Sequence, residues 1–189
     1  MLDLRQQKIL LEIARNSVEV LLLNAKVKSF EIGDDLKSKQ GCFVTIKNNE
    51  NELRGCIGII ENNTQELDEL VRDMAIAAAT KDSRFLPIVK NELKDIYFEI
   101  SILSTPEIVD DWKSIKLGEH GVVIEKGMRS GVFLPQVALE SSWSLEEFLA
   151  QLCVQKAGLL KDCYKNDKDA VLKVFEAQIF SEKINNNPY

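Results

Sequence analysis

The sequence predicts an α+β fold built on a mainly antiparallel sheet flanked by helices, and three observations carry that reading. Strand-like and helix-like runs are mixed without the regular strand–helix–strand rhythm of a parallel sheet. Ile96 to Ser104 alternates cleanly, with Phe98, Ile100 and Ile102 on one face and Tyr97, Glu99, Ser101 and Leu103 on the other. Cys42–Lys47 and Leu53–Ile60 flank the turn-rich Asn48-Asn49-Glu50-Asn51-Glu52, the arrangement of a hairpin.

In chain order, Asp3 to about Lys26 reads as an amphipathic helix, with Leu10, Ile13, Ala14, Val18, Leu21 and Leu22 at helical spacing. Ser29 to Lys39 is polar and breaks the pattern as a loop. After the hairpin, Asn63-Thr64 supplies a helix start, and Leu67, Leu70, Val71, Met74, Ala75, Ala78 and Ala79 mark its buried stripe. Beyond the alternating strand, 107–112 and 117–124 hold short strands or turns, and Gly127 between Val122–Glu125 and Ser130–Leu134 predicts a second hairpin. Pro135 ends it, and Gln136 to Glu140 forms a helical turn. Ser144-Leu145-Glu146-Glu147 is an N-cap with an acidic first turn, opening a helix to about Lys156 that Ala157-Gly158 stops. Val171 to Phe180 reads as one last strand, and Asn185 to Tyr189 as a frayed tail.

A chain of 189 residues suits one domain, here 1–189, organised as a single compact body. Its 45% hydrophobic and 29% charged residues are those of an ordinary soluble globular protein. The net charge of −6 argues against a nucleic-acid binder that relies on bulk charge. No apolar run approaches a membrane span, and Met1-Leu2-Asp3-Leu4-Arg5 lacks the order of a secretory signal, so a cytoplasmic location without membrane contact is expected. Cys42, Cys56, Cys153 and Cys163 form no C-x-x-C pair, and one histidine accompanies them, which disfavours a structural zinc site. Motifs for phosphate-loop nucleotide binding, dinucleotide binding, zinc peptidases and α/β-hydrolases are absent, and nothing in the sequence calls for a bound cofactor.

The chemistry concentrates in Leu53-Arg54-Gly55-Cys56-Ile57-Gly58. Alternation puts Arg54, Cys56 and Gly58 on one face, and a guanidinium two residues from a thiol favours the thiolate. Gly55 and Gly58 permit close approach of a backbone or a small ligand. Cys56 is therefore the candidate nucleophile, against the plainer reading of a small core residue. Arg54 is a candidate anion binder. His120, in Gly118-x-His120-Gly121, is a candidate proton carrier, and Glu99 or Asp82 a candidate orienting carboxylate. Arg84, in Asp82-Ser83-Arg84-Phe85, would complete an anion clamp with Arg54 or pair with Asp82. Glu99 and Ser101 form either a solvated sheet face or, beside Arg54 and Cys56, a polar cleft.

The motif at Leu53–Gly58 resembles the hallmark of the AMMECR-type domain family. Gly41-Cys42-Phe43-Val44-Thr45, Lys81-Asp82-Ser83-Arg84-Phe85-Leu86-Pro87, Glu99 to Ser104, Gly118-Glu119-His120-Gly121-Val122 and Phe133-Leu134-Pro135-Gln136-Val137 resemble it in the same order. The resemblance implies a two-lobed α+β body, with a smaller lobe within about 105–165. It also implies a component of a small cytosolic system that includes Memo-type and radical-SAM-type proteins. Three functional readings stand: a small-molecule binding or processing protein whose cleft contains Arg54 and Cys56, a non-catalytic interaction partner, and a nucleic-acid-associated regulatory factor.

Overall fold

The computed structural model describes residues 1–183, so the expected tail from Asn185 to Tyr189 lies outside the described residues. The fold is α+β with two antiparallel sheets, and the described residues divide into two units, 1–103 with 178–183 and 104–177.

The first unit opens with α1 (Leu4–Leu23). Asp3 caps it: its Oδ1 accepts from Gln6 N at 2.8 Å while Gln6 Oε1 accepts from Asp3 N at 2.7 Å, closing a capping box. Asn24, in the left-handed region at φ 52°, ends the helix two residues before the expected Lys26. The polar stretch that follows contains one 3₁₀ turn, Asp34–Lys37, which sends Leu36 into the core. Next come β1 (Cys42–Asn48), β2 (Leu53–Ile59), α2 (Leu67–Thr80) and β3 (Ile96–Leu103). Helix α2 starts later than its sequence signal. Asn62 Oδ1 accepts from the backbone N–H groups of both Thr64 and Gln65, which holds that stretch in an Asx-type turn rather than a first helical turn.

The second unit holds β4 (Glu107–Ile108), β5 (Gly121–Lys126), β6 (Arg129–Phe133), α3 (Pro135–Ser141), α4 (Leu145–Gln151), α5 (Cys163–Asn166) and β7 (Val171–Phe175). The chain then returns to the first unit with β8 (Ala177–Ser181). The predicted hairpin at Gly127 is present, with that glycine at φ 58°. Ser144 caps α4 through the expected box with Glu147. The helix widens into a π turn over Leu152–Lys156, where Ala157 N reaches back to Leu152 O.

The single strand expected over Val171–Phe180 is instead two, and they belong to different sheets. The orders are β2-β1-β3-β8 and β4-β7-β5-β6. The chain switches sheets at Glu176, whose N–H donates to Ser104 Oγ at 3.0 Å and whose carbonyl accepts from Ser104 N at 2.9 Å.

In the first unit, α1 and α2 cover one face of the sheet. Val44, Ile46, Phe98 and Ile100 pack there against Leu10, Ala14, Leu70, Val71 and Ala75, all fully buried. The second unit has its own core around Ile124, Phe133, Phe148, Leu152 and Leu172. Sheet alternation leaves Phe43, Thr45, Cys56, Gly58, Glu99 and Ser101 on the face of the first sheet opposite its helices.

Candidate functional site

Pairing register assembles the site. Thr45 is opposite Cys56 on β2 and opposite Glu99 on β3, so the three side chains form a row across three strands. Phe43 is likewise flanked by Gly58 and Ser101 in the next row. Thr45 Oγ1 donates to Cys56 Sγ at 3.3 Å. Glu99 is nearly buried and bound to Lys47 Nζ at 3.0 Å. Ser101 is 1% exposed, and its hydroxyl has no hydrogen-bond partner among the described residues. The face expected as a candidate solvated surface is buried along β3, every residue of that strand being buried, while Phe43, Lys47 and Cys56 beside it stay half-buried.

The contrast with other buried polar residues is informative. Asn16 Nδ2 donates to Lys26 O and its Oδ1 accepts from Lys28 N. Asn62 is saturated by the turn before α2. Those two are loop anchors with all obvious bonds made. Ser101 is not, and it stands one row from a thiol and a carboxylate.

Cys56 is half-buried on an edge strand, with its backbone N–H and carbonyl turned away from β1. Side chains complete that edge. Asp82 Oδ2 accepts from Cys56 N at 2.8 Å, and Arg84 Nη2 donates to Cys56 O at 3.3 Å. Arg84 Nε and Nη2 also bind the Asp82 carboxylate at 2.9 and 2.7 Å, and Arg84 N donates to it as well. These bonds, with that of Arg84 first, hold the Asp82 carboxyl at about 2, well below the usual carboxylate range.

The structure corrects the expected electrostatics of the thiol. Burial pushes the Cys56 thiol up, and the Thr45 hydrogen bond and the Arg84 charge offset that only in part. The nearby guanidinium belongs to Arg84, not Arg54. The β1–β2 register slips between Ile46 and Lys47, leaving Arg54 as the unpaired residue of a β-bulge. Its side chain is thereby aimed at the loop after α2. Arg54 Nε and Nη2 bind Glu92 at 2.7 and 3.2 Å, and Nη1 donates to Leu86 O at 2.8 Å. Each arginine of the expected clamp is thus paired with its own carboxylate, Arg54 with Glu92 and Arg84 with Asp82.

The glycines serve packing. A Cβ on Gly55 would lie 2.2 Å from Ala78 O, so this residue lets α2 approach β2. A Cβ on Gly58 would meet Cys42 O and the Phe43 ring at 2.4 Å. His120 lies in the second unit, at a turn opened by Gly118 at φ 83°. Its Nδ1 accepts from Lys116 N at 3.3 Å, which assigns the proton of the neutral ring to Nε2.

Thr45, Lys47 and Glu92 were given no role in reading the sequence. The first two had none that was sufficient: a regular hairpin closing at 48–52 would set Thr45 opposite Gly55, and only the bulge at Arg54 brings it opposite Cys56. Glu92 had none, because its role depends on the bulge at Arg54. Among the described residues no cluster of three or more His, Cys, Asp or Glu is placed to hold a metal ion, and no helix is long and apolar enough to cross a membrane.

The sequence profile of the AMMECR1 family matches residues 11–180. A protein of Nanoarchaeum equitans is 42% identical over 183 residues, covering 92% of this chain and 98% of that one. A protein of Sulfolobus acidocaldarius is also 42% identical, over 95% of this chain and 82% of its own length. The crystal structure of an uncharacterized protein from Pyrococcus horikoshii superposes with a TM-score of 0.83 at 36% identity, over 92% of this chain and 90% of that one.

Proposed function

The chain belongs to the AMMECR1 family, and we propose that it binds a small polar molecule on the sheet face formed by Thr45, Cys56, Glu99 and Ser101. The observation that carries this reading is the Ser101 hydroxyl, nearly buried and unpartnered beside a half-open thiol and a buried Glu99–Lys47 ion pair. A ligand hydroxyl, amine or carboxylate would satisfy Ser101, and a ligand donor would satisfy the free lone pairs of Glu99.

Burial keeps the Cys56 thiol protonated near neutral pH, so in this reading it acts as a weak donor or a proton source rather than as a standing thiolate. Asp82 and Arg84 position the Cys56 backbone, and Arg54 holds the adjoining loop. Such a site would serve a cytoplasmic system shared with Memo-type and radical-SAM-type proteins, the partners that the sequence resemblance implies.

The test is a thermal-shift screen of small hydroxy acids, amino acids and polyols on the wild type and on Ser101→Val. A ligand at 100 times its Kd adds about 2.7 kcal/mol, or roughly 5–10 °C for a chain of this size. A shift in the wild type that Ser101→Val abolishes supports the site. Absence of any shift across the three classes, or an equal shift in the variant, contradicts it.

A further inference from the structure

Next to this site, the loop after α2 displays apolar side chains that the fold holds rigidly in solvent. Leu86 is 84% exposed and Val89 57% exposed. The backbone between them is tied down. Ile88 is a buried plug whose N–H donates to Ala79 O at 2.8 Å, Leu86 O accepts from Arg54 Nη1, and Val89 N donates to Glu92 Oε2 at 2.8 Å. Exposed leucine and valine on a mobile loop are unremarkable, but here the ordering cost has been met within the fold, which favours binding.

The charges around these tips are predominantly positive. Lys81, Lys90 and Lys94 are exposed, and none has an ion-pair partner among the described residues. The nearest carboxylates, Asp82 and Glu92, are neutralised by Arg84 and Arg54. Asp95, the remaining acid, is exposed, accepts from Asn49 Nδ2 at 3.4 Å and is outnumbered by the three lysines. A chain of net charge −6 therefore carries a local cationic rim around an aliphatic centre. That pattern complements an acidic segment bearing apolar side chains: the apolar anchors supply affinity, and the charges supply orientation and encounter rate. The one aromatic ring of the stretch, Phe85, is half-buried and already carries the Arg84 guanidinium 5.4 Å from its centroid, so it is a poor stacking platform for bases, which weighs against single-stranded nucleic acid.

We infer that residues 81–94 form a docking surface for an acidic peptide segment of a partner protein, with Leu86 and Val89 as the apolar contacts and Lys81, Lys90 and Lys94 as the charged rim. The test is selection from a library of random 12-residue peptides displayed on phage against the full chain, followed by affinity measurement with the enriched peptides in synthetic form. The expected peptides are acidic with two or more large apolar residues. Their affinity falls at least tenfold in Leu86→Asp and in the double variant Lys81→Glu, Lys90→Glu, and it weakens as salt is raised. Both variants change only exposed side chains, so the fold is retained, and circular dichroism verifies that. Recovery of neutral or basic peptides, recovery of none, or peptides that bind the variants as tightly as the wild type overturns the inference. So does retention on phosphatidylserine vesicles or on single-stranded polynucleotide that Leu86→Asp abolishes while no acidic peptide binds.

Discussion

The Asp82 carboxylate accepts the backbone N–H of Cys56 at 2.8 Å, standing where a neighbouring strand would otherwise complete the edge of the first sheet. Arg84, bound to the same carboxylate, donates to the Cys56 carbonyl. One ion pair thus closes a strand edge, fixes the backbone of the thiol and provides the cation that faces it. It also leaves the edge unavailable at that residue for pairing with another chain.

This arrangement makes stability depend on acid in a defined way. The Asp82 carboxyl is held at about 2 in the folded chain, below its ordinary 3.8. A depressed folded value contributes stability that is fully present above the unfolded value and lost as pH falls toward the folded one. The contribution is about 2 kcal/mol, lost between about pH 4 and pH 2. Urea unfolding at a series of pH values reads it: the stability gap between wild type and Asp82→Asn narrows by about that amount from pH 6 to pH 2. A gap that does not change with pH contradicts the assignment.

Gly55 is required by packing. Gly55→Ala drives a Cβ into the Ala78 carbonyl, a backbone atom that cannot rotate away, and is expected to cost about 3 kcal/mol in denaturant unfolding. Gly33→Ala is the control, since a Cβ there meets nothing within 4 Å; it is expected to stay within about 0.5 kcal/mol of wild type.

Thiol reactivity separates the four cysteines. Burial raises Cys42 and Cys153 to about 12, and both are fully buried, whereas Cys56 is half-open. Iodoacetamide at pH 8 should modify Cys56 first, yet more slowly than a free thiol of pKa ~8.5. Arg84→Met and Thr45→Val each remove an influence that lowers the thiol pKa, so each should slow Cys56 alkylation by roughly two- to fivefold, with partial rescue in Arg84→Lys. Faster alkylation in either variant contradicts the electrostatic account.

The strand and helix pattern was legible because it rests on local periodicity. The alternation of 96–103, the hairpins at 48–52 and Gly127, and the Ser144 cap all appear where the residues indicated. What the sequence concealed depends on single-residue irregularities. β-prone residues run on both sides of Glu176 with no Pro or Gly between them, so nothing local announces that the chain changes sheets there. The bulge at Arg54 moves one side chain off the face that strict alternation assigns it, and with it the cation expected beside Cys56. The juxtaposition of Cys56 with Glu99 and Ser101 follows from β1 pairing with both β2 and β3, a long-range choice that periodicity does not encode.

The central claim is that the face bearing Cys56, Thr45, Glu99 and Ser101 binds a small polar molecule, and disulfide tethering tests it most directly. The protein is equilibrated with a library of thiol-bearing polar fragments under graded reductant, and intact-mass spectrometry reads which fragments stay on which cysteine. The account predicts that a minority of fragments, those carrying a group able to bond Ser101 or Glu99, label Cys56 at reductant levels that leave Cys42, Cys153 and Cys163 free, and that Ser101→Val removes the preference. Labelling of Cys56 by all fragments alike, or the same selection in Ser101→Val, would show that the thiol borders no binding site.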